Sequence, residues 1–149
     1  MLAVGCAGTK GPIKNEPARL PGELTLFDRL GGTPAITAVV DDWIERAGRD
    51  PRVNFVRQGH PHQWDATPDS VAQLKIYLSQ FVGMLCDGPQ IYEGRDMFTT
   101  HTGMQISEGE WLAMMQDLKQ TLDAFHFPID QQQDLMRRIA ETHDAIVNK

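Results

Sequence analysis

The sequence predicts one all-α domain, and three observations support this prediction. From Thr25 onward the apolar residues recur at helical spacing, with no strand-like alternation of any length. Helix-capping residues stand where these apolar runs begin, and Gly or Pro stands where most of them end. The chain has 149 residues, of which 41% are apolar and 23% are charged. This is enough to bury one core without disulfide bridges.

The first two helices are predicted to begin at threonine caps. Thr25 precedes a short helix over residues 26–30, which two glycines at 31–32 end because glycine readily adopts left-handed backbone conformations. Thr33 is the predicted N-cap of the second helix, with Pro34 in its first turn, and Gly48 closes it. One face of this helix forms a strong apolar stripe. The stripe consists of Ile36, Val39, Val40, Trp43, Ile44 and Ala47.

A polar stretch over residues 57–66, rich in Pro, Gly and Gln, is predicted to be a loop whose histidines, His60 and His62, are solvated. Thr67 and Pro68 then start a third helix, which stops at residues 87–89. Its inner face contains Val71, Leu74, Leu78, Phe81 and Leu85.

Three further helices are predicted in the rest of the chain. A short one ends near His101. Ser107 and Glu110 form a capping box for a long helix, with the inner face Trp111, Met114, Met115, Leu118, Leu122 and Phe125. Asp130 and Gln133 form a capping box for the last helix, which is predicted to bury Leu135, Ile139, His143 and Ile146.

The N-terminal part differs from the rest in composition. Residues 7–23 contain three prolines and several glycines, so we interpret residues 1–23 as a flexible tether and residues 24–149 as the folded domain. Residues 3–6, Ala-Val-Gly-Cys, resemble a bacterial lipobox. This predicts a lipid anchor at Cys6 and a place in the cell envelope, with a cytoplasmic protein as the alternative. The sequence contains no predicted transmembrane helix.

Charge and cysteine content exclude several functions. The net charge of −6 and the pI near 5.2 offer no general attraction to nucleic acid or anionic lipid. Cys6 and Cys86 are too far apart in sequence to suggest a disulfide framework or a metal-binding motif. Cys86 is predicted to be a small buried apolar residue.

A series of short motifs, taken in order, resembles the group-one truncated haemoglobins, a family of small bacterial globins. The resemblance extends from about Leu24 to Val147, and its motifs lie at residues 26–32, 34–36, 39–43, 88–89, 92, 94–97, 101–106 and 144–147. Without it, an ordinary helical bundle with no cofactor would satisfy the periodicity. The resemblance implies a truncated globin, a two-over-two helical sandwich with haem between the helix pairs.

The resemblance implies that His101 is the axial ligand of the iron of haem b. A neutral imidazole can bind iron through one ring nitrogen and donate the other N–H to a carbonyl. The carbonyl one turn earlier, around Met97, is the expected acceptor. Without the resemblance, His101 is better explained as a histidine favoured by the C-terminal end of a helix.

The resemblance also assigns the surroundings of the haem. Ile44, Leu74 and Leu78 stand where better-known members carry a tyrosine, glutamine or similar donors, which predicts an apolar distal pocket. Further residues are assigned to the haem surroundings from the chemistry of their side chains. Met97, Phe98, Phe81 and Trp111 are predicted to pack in the core and line the porphyrin, Tyr77 to cover the haem edge, and Lys75 and Arg95 to bind the propionates or else remain solvated.

The predicted function is reversible binding of a diatomic gas, that is oxygen, nitric oxide or carbon monoxide, with an unidentified reductase as partner. A catalytic alternative is a nitric oxide dioxygenase or weak peroxidase, which the apolar distal side disfavours. A second alternative is a haem-free helical interaction module. The retained His101 argues against it.

Overall fold

A computed structural model of the protein describes residues 22–149, which form seven helices and no strand. The predicted tether and the anchor at Cys6 lie outside these residues. An isolated bridge joins Ile106 and Val147. The helices are α1 (Leu26–Leu30), α2 (Gly32–Arg49), α3 (Pro68–Leu85), α4 (Met97–His101), α5 (Glu108–Ala124), α6 (Ile129–Ala140) and α7 (His143–Ile146).

Three predicted N-caps are confirmed. The Asp28 amide donates to Thr25 Oγ1 at 3.0 Å, and Thr67 accepts in the same way from the Ser70 amide at 3.2 Å. Ser107 and Glu110 form the predicted capping box at the start of α5. Each cap satisfies an amide that the first helical turn leaves without a backbone partner.

The predicted N-caps of α2 and α6 are wrong. α2 begins two residues earlier than expected, because Gly31 at φ 110° serves as its N-cap and places Thr33 inside the first turn. α6 begins at Ile129 after Pro128, with no side-chain cap, so Asp130 and Gln133 form no capping box. The last predicted helix is also divided in two, since α6 ends at Ala140.

The core lies between α2, α5 and α6, with α1 packed against α2 and α6. α2 packs against α3 on one side and against α5 on the other, while α6 packs against α1 and α5. α4 packs chiefly against α7. The helices of residues 22–149 and their packing confirm the predicted all-α fold. The fully buried centre of the core consists of Leu26, Ile36, Val40, Val82, Cys86, Leu118, Thr121, Leu122 and Leu135.

Two features of the surface concern membrane contact and Phe125. Among residues 22–149, every helix is too short or too polar to cross a bilayer. Phe125 was predicted on the inner face of α5, but 43% of it is exposed. It is the C-cap residue of α5, where the chain leaves the helix, and its ring stacks on Phe127 at the surface.

Candidate functional site

His101 is the last residue of α4 and is half-buried. Its Nδ1 lies 2.7 Å from the Met97 carbonyl oxygen. Because a carbonyl can only accept, Nδ1 carries the proton, and Nε2 is left without a hydrogen-bond partner among residues 22–149. Burial lowers the pKa of His101, although the bond to Met97 acts in the opposite direction. The ring is therefore a neutral imidazole at pH 7 with one uncommitted nitrogen.

The inner face of α3 is apolar but only partly covered. α3 fully buries Val82 and Gly83, both in its last turn. The residues of its predicted inner face are all half-buried, although apolar side chains of this size gain most when they are completely removed from water. These residues are Val71, Leu74, Leu78, Phe81 and Leu85.

The three residues assigned to the distal pocket belong to one apolar cluster. Ile44, on the buried stripe of α2, is 3% exposed, and Leu74 and Leu78 of α3 pack against the same cluster. Next to Ile44, the Trp43 indole donates to the Met114 carbonyl at 2.9 Å, so that its polar atom is satisfied. All three predicted distal residues thus lie in or against the main apolar cluster.

The predicted wall residues divide into two groups. Met97 packs against the apolar cluster, and Trp111 is buried beside His143 with the two rings edge to face. The prediction that Phe98 packs in the core is wrong, because it is 54% exposed. A helix of five residues can turn only one side toward the core, and Met97 occupies that side. Phe81 is half-buried and packs edge to face on Tyr92 at 5.2 Å.

The three residues predicted at the haem edge differ in exposure and in ion pairing. Tyr77 is 37% exposed, in agreement with a position at the rim. Lys75 Nζ lies 3.0 Å from Asp41 Oδ1, and both residues line a surface cleft between α2 and α3. Lys75 is therefore already paired with a carboxylate of α2. Arg95 is exposed, and its guanidinium forms no ion pair within residues 22–149.

Arg57 is a buried residue of this region that the sequence analysis missed. It is 4% exposed and reaches the backbone just after His101, where its Nη2 donates to the Met104 carbonyl at 2.7 Å. His62, from the same loop, is exposed, but its ring lies so close to Gly103 that a Cβ there would be 2.6 Å from Nε2. His60, at 3.3 Å from Arg57, is half-buried rather than solvated. A single sequence gives no signal for such contacts.

Cys86 is a buried and unreactive thiol. It is completely buried at the C-cap of α3, as the sequence predicts, and burial raises the pKa of its thiol to about 12. A thiol with such a pKa provides almost no thiolate at pH 7. Cys86 therefore contributes packing, not chemistry.

The residues around His101 fit an iron porphyrin. Porphyrin is a broad apolar ring that needs apolar side chains along its faces and an uncommitted nitrogen for its iron. The half-buried face of α3 provides the first, and His101 Nε2 provides the second. Met97 packs against the same core cluster as Leu74 and Leu78, and its carbonyl accepts the His101 hydrogen bond.

Comparison with known proteins agrees with this interpretation. The model of a family described as bacterial-like globin matches residues 25–148. The group 1 truncated hemoglobin GlbN of Nostoc sp. (strain MUN 8820) is 27% identical over 125 residues, which is 84% of this chain and 98% of that protein. The group 1 truncated hemoglobin of Tetrahymena thermophila is 30% identical over 100 residues, covering 66% and 74% respectively.

Solved structures show the same fold. The truncated hemoglobin from Tetrahymena pyriformis in its Fe(III) form superposes with a TM-score of 0.73 at 23% identity, over 85% of this chain and 100% of that one. The group II truncated hemoglobin from Bacillus anthracis gives 0.71 at 21% identity, over 85% and 93%. With the family match over residues 25–148, these likenesses lead to one conclusion: the chain belongs to the bacterial-like globin family and is a truncated haemoglobin of the group 1 type.

Proposed function

We propose that His101 holds the iron of haem b through Nε2 and that the protein reversibly binds a diatomic gas on the other side of the haem. Membership of the globin family implies haem and gas binding, and the residue assignments are our proposal. One observation carries it: the His101 Nδ1–H donates to the Met97 carbonyl at 2.7 Å, which leaves a half-buried Nε2 free. Such a bond fixes both the tautomer and the ring plane of a metal-binding histidine.

The other residues of the site determine what surrounds the gas. Haem, when bound, supplies a ferrous iron at which oxygen, nitric oxide or carbon monoxide can coordinate. Ile44, Leu74 and Leu78 exclude water there and provide no hydrogen-bond donor. Oxygen is the most polarised of the three gases on iron and gains most from a buried donor. We therefore expect this pocket to favour nitric oxide and carbon monoxide over oxygen, relative to a pocket with a donor.

The same apolar set argues for binding rather than catalysis. Dioxygenase or peroxidase chemistry needs donors aimed at the charge that develops during the reaction. Ile44, Leu74 and Leu78 have no such group, and Tyr77 stands at the rim with 37% of its surface exposed. Repeated turnover of nitric oxide to nitrate in the presence of oxygen and a reductase would favour the catalytic alternative.

The test is to record absorption spectra of the full chain loaded with haem, in its ferric, ferrous and carbon monoxide forms. We expect a Soret band and a five-coordinate ferrous state in the wild type. His101→Gly should lose that ferrous spectrum and recover it when imidazole is added, since free imidazole can replace the missing ring. His126→Asn changes an exposed histidine and serves as the matched control. A wild-type spectrum in His101→Gly without imidazole would refute the proposal.

A further inference from the structure

The loop between α2 and α3 contains a buried guanidinium. Arg57 has a left-handed backbone conformation, φ 55°, and only 4% of the residue is exposed. Its Nε and Nη2 donate to the Met104 carbonyl at 3.1 and 2.7 Å, and Nη2 also donates to the Gln105 carbonyl at 3.3 Å. These acceptors lie 47 and 48 residues further along the chain. One side chain thus ties two distant segments together.

The same guanidinium also reaches the start of α5. Arg57 Nη1 lies 2.9 Å from Glu110 Oε1 as an ion pair, although the angle is not that of a hydrogen bond. The other carboxylate oxygen of Glu110 accepts from the Ser107 amide at 2.9 Å in the capping box of α5. Arg57 therefore binds at two places: the Met104 and Gln105 carbonyls between α4 and α5, and Glu110 in the first turn of α5.

This connection, residues 102–107, begins directly after His101. The Met104 amide donates back to the His101 carbonyl at 3.0 Å, so the segment that Arg57 binds is itself bonded to the histidine. The C-terminus holds the connection from another direction, since the Asn148 amide donates to the Ile106 carbonyl at 2.8 Å. The backbone that follows His101 is thus held by hydrogen bonds on two sides.

α4 depends on such support because it contributes little of its own. It has five residues, none of which is fully buried. A helix of this length is unstable unless tertiary contacts hold it. The position of the His101 ring therefore follows from the segments on which α4 is mounted.

We propose that Arg57 is a positioning residue for His101: by holding the carbonyls of Met104 and Gln105 it sets the place of the imidazole relative to the iron. This proposal rests on the proposed function, because it assumes that His101 is the iron ligand. Arg57 itself does not contact His101. A lysine in its place would have a single donor centre and could not hold both carbonyls and Glu110 in one plane.

The test compares haem-loaded wild type with Arg57→Gln and Arg57→Lys. We expect Arg57→Gln to shift the iron–histidine stretching band of the ligand-free ferrous protein and to lose haem on the order of 10-fold faster, as outer-shell substitutions commonly do. Arg57→Lys should give a smaller shift in the same direction. Arg52→Gln removes an exposed arginine that is bonded to Asp50 and Gln116, and should change neither quantity. An unshifted band and an unchanged rate in Arg57→Gln would refute the positioning role.

A second experiment, carried out in the His101→Gly variant, distinguishes positioning from a general loss of stability. In His101→Gly with added imidazole, the iron ligand is no longer attached to the backbone, so Arg57→Gln should leave the iron–imidazole band where it is. A shift of equal size in that background would refute the proposal, since the effect would not pass through His101. If Arg57→Gln does not fold, Glu110→Gln removes the ion pair and keeps the carbonyl bonds. It should shift the band slightly, and an unshifted band would count against the proposal.

Failure of this proposal differs from failure of the proposed function. If wild type shows no iron–histidine band at all, His101 is not the ligand, and both proposals fall. If wild type shows the band and the Arg57 variants leave it unchanged, only the positioning role is lost.

Discussion

Two helices of equal length, α2 and α3, are buried to very different extents. Each has 18 residues and an apolar stripe, and α3 is the more apolar of the two. α2 nevertheless buries six residues, while α3 buries two. The cause is their position, because α2 packs extensively against both α3 and α5, whereas α3 packs extensively against α2 and only slightly against α6. The proposed haem site would cover the half-buried face of α3.

The strongest test of this comparison removes one apolar side chain from each helix. Without haem, Ile36→Ala in α2 should lower the free energy of unfolding by about 2–5 kcal/mol, because Ile36 is fully buried. Leu78→Ala in α3 should cost only about 1 kcal/mol, because Leu78 is already half-exposed. Urea denaturation of both variants measures the two values.

With haem bound, the losses in free energy of unfolding caused by Ile36→Ala and Leu78→Ala should become more similar. If haem covers Leu78 as proposed, the cost of Leu78→Ala should rise when haem is added, while that of Ile36→Ala stays nearly the same. Ile76→Ala, on the exposed face of α3, is the control and should have little effect in either state. Equal losses for Ile36→Ala and Leu78→Ala without haem would show that α3 needs no further partner.

How far the sequence predicts this fold depends on the range of the interactions concerned. The starts of α1, α3 and α5 follow from local side-chain caps, and the sequence predicts them correctly. Local rules fail where the backbone itself forms the cap, as at Gly31 and Pro128. They also fail in α4, because the periodicity of five residues cannot decide whether Met97 or Phe98 faces inward.

The candidate site shows the same limit. Its central histidine, His101, was found because a series of motifs resembles a family, and the acceptor of its hydrogen bond follows from helix geometry. Arg57 was missed because its acceptors are 47 and 48 residues away in sequence, and no local pattern marks such a contact. The ion pair of Lys75 with Asp41 was missed for a similar reason, since it joins α3 to α2.

The next test concerns the one residue of the α2 stripe that is assigned to the gas pocket. Ile44→Tyr would introduce a hydrogen-bond donor, which is worth about 1–3 kcal/mol to oxygen on iron. We expect oxygen to leave about 5- to 150-fold more slowly from this variant than from wild type, while carbon monoxide changes less. Stopped-flow displacement of oxygen by carbon monoxide measures the rate.

Ile44→Phe is the matched control for this substitution. It adds a ring without the hydroxyl, so any slowing that it shares with Ile44→Tyr comes from volume and not from hydrogen bonding. If oxygen leaves Ile44→Tyr and Ile44→Phe at the same rate, Ile44 does not face the gas. In that case the buried stripe of α2 would serve only the core.

The smallest expected effect concerns α7, the helix against which α4 chiefly packs. His143 in α7 lies with Nε2 2.7 Å from Glu108 Oε2 and Nδ1 2.8 Å from Asp144 Oδ1. The hydrogen bond to Asp144, and then that to Glu108, raise the pKa of His143 above its ordinary value. A raised histidine pKa stabilises the fold below the ordinary value of 6.5 and loses this effect as the pH rises through the folded-state pKa.

His143→Gln should therefore reduce the free energy of unfolding slightly at a pH of about 5.5 and have almost no charge-dependent effect at about 9. Urea denaturation at both values measures the difference, and His126→Gln controls for the general loss of an exposed imidazole. The effect should be the same with and without haem, because the two carboxylates that raise the His143 pKa, on Glu108 and Asp144, are exposed and are not assigned to the haem site. If haem abolished the pH dependence, the His143 contacts of α7 would be coupled to the haem site. The comparison of α2 with α3 would then have to include α4 and α7 as well.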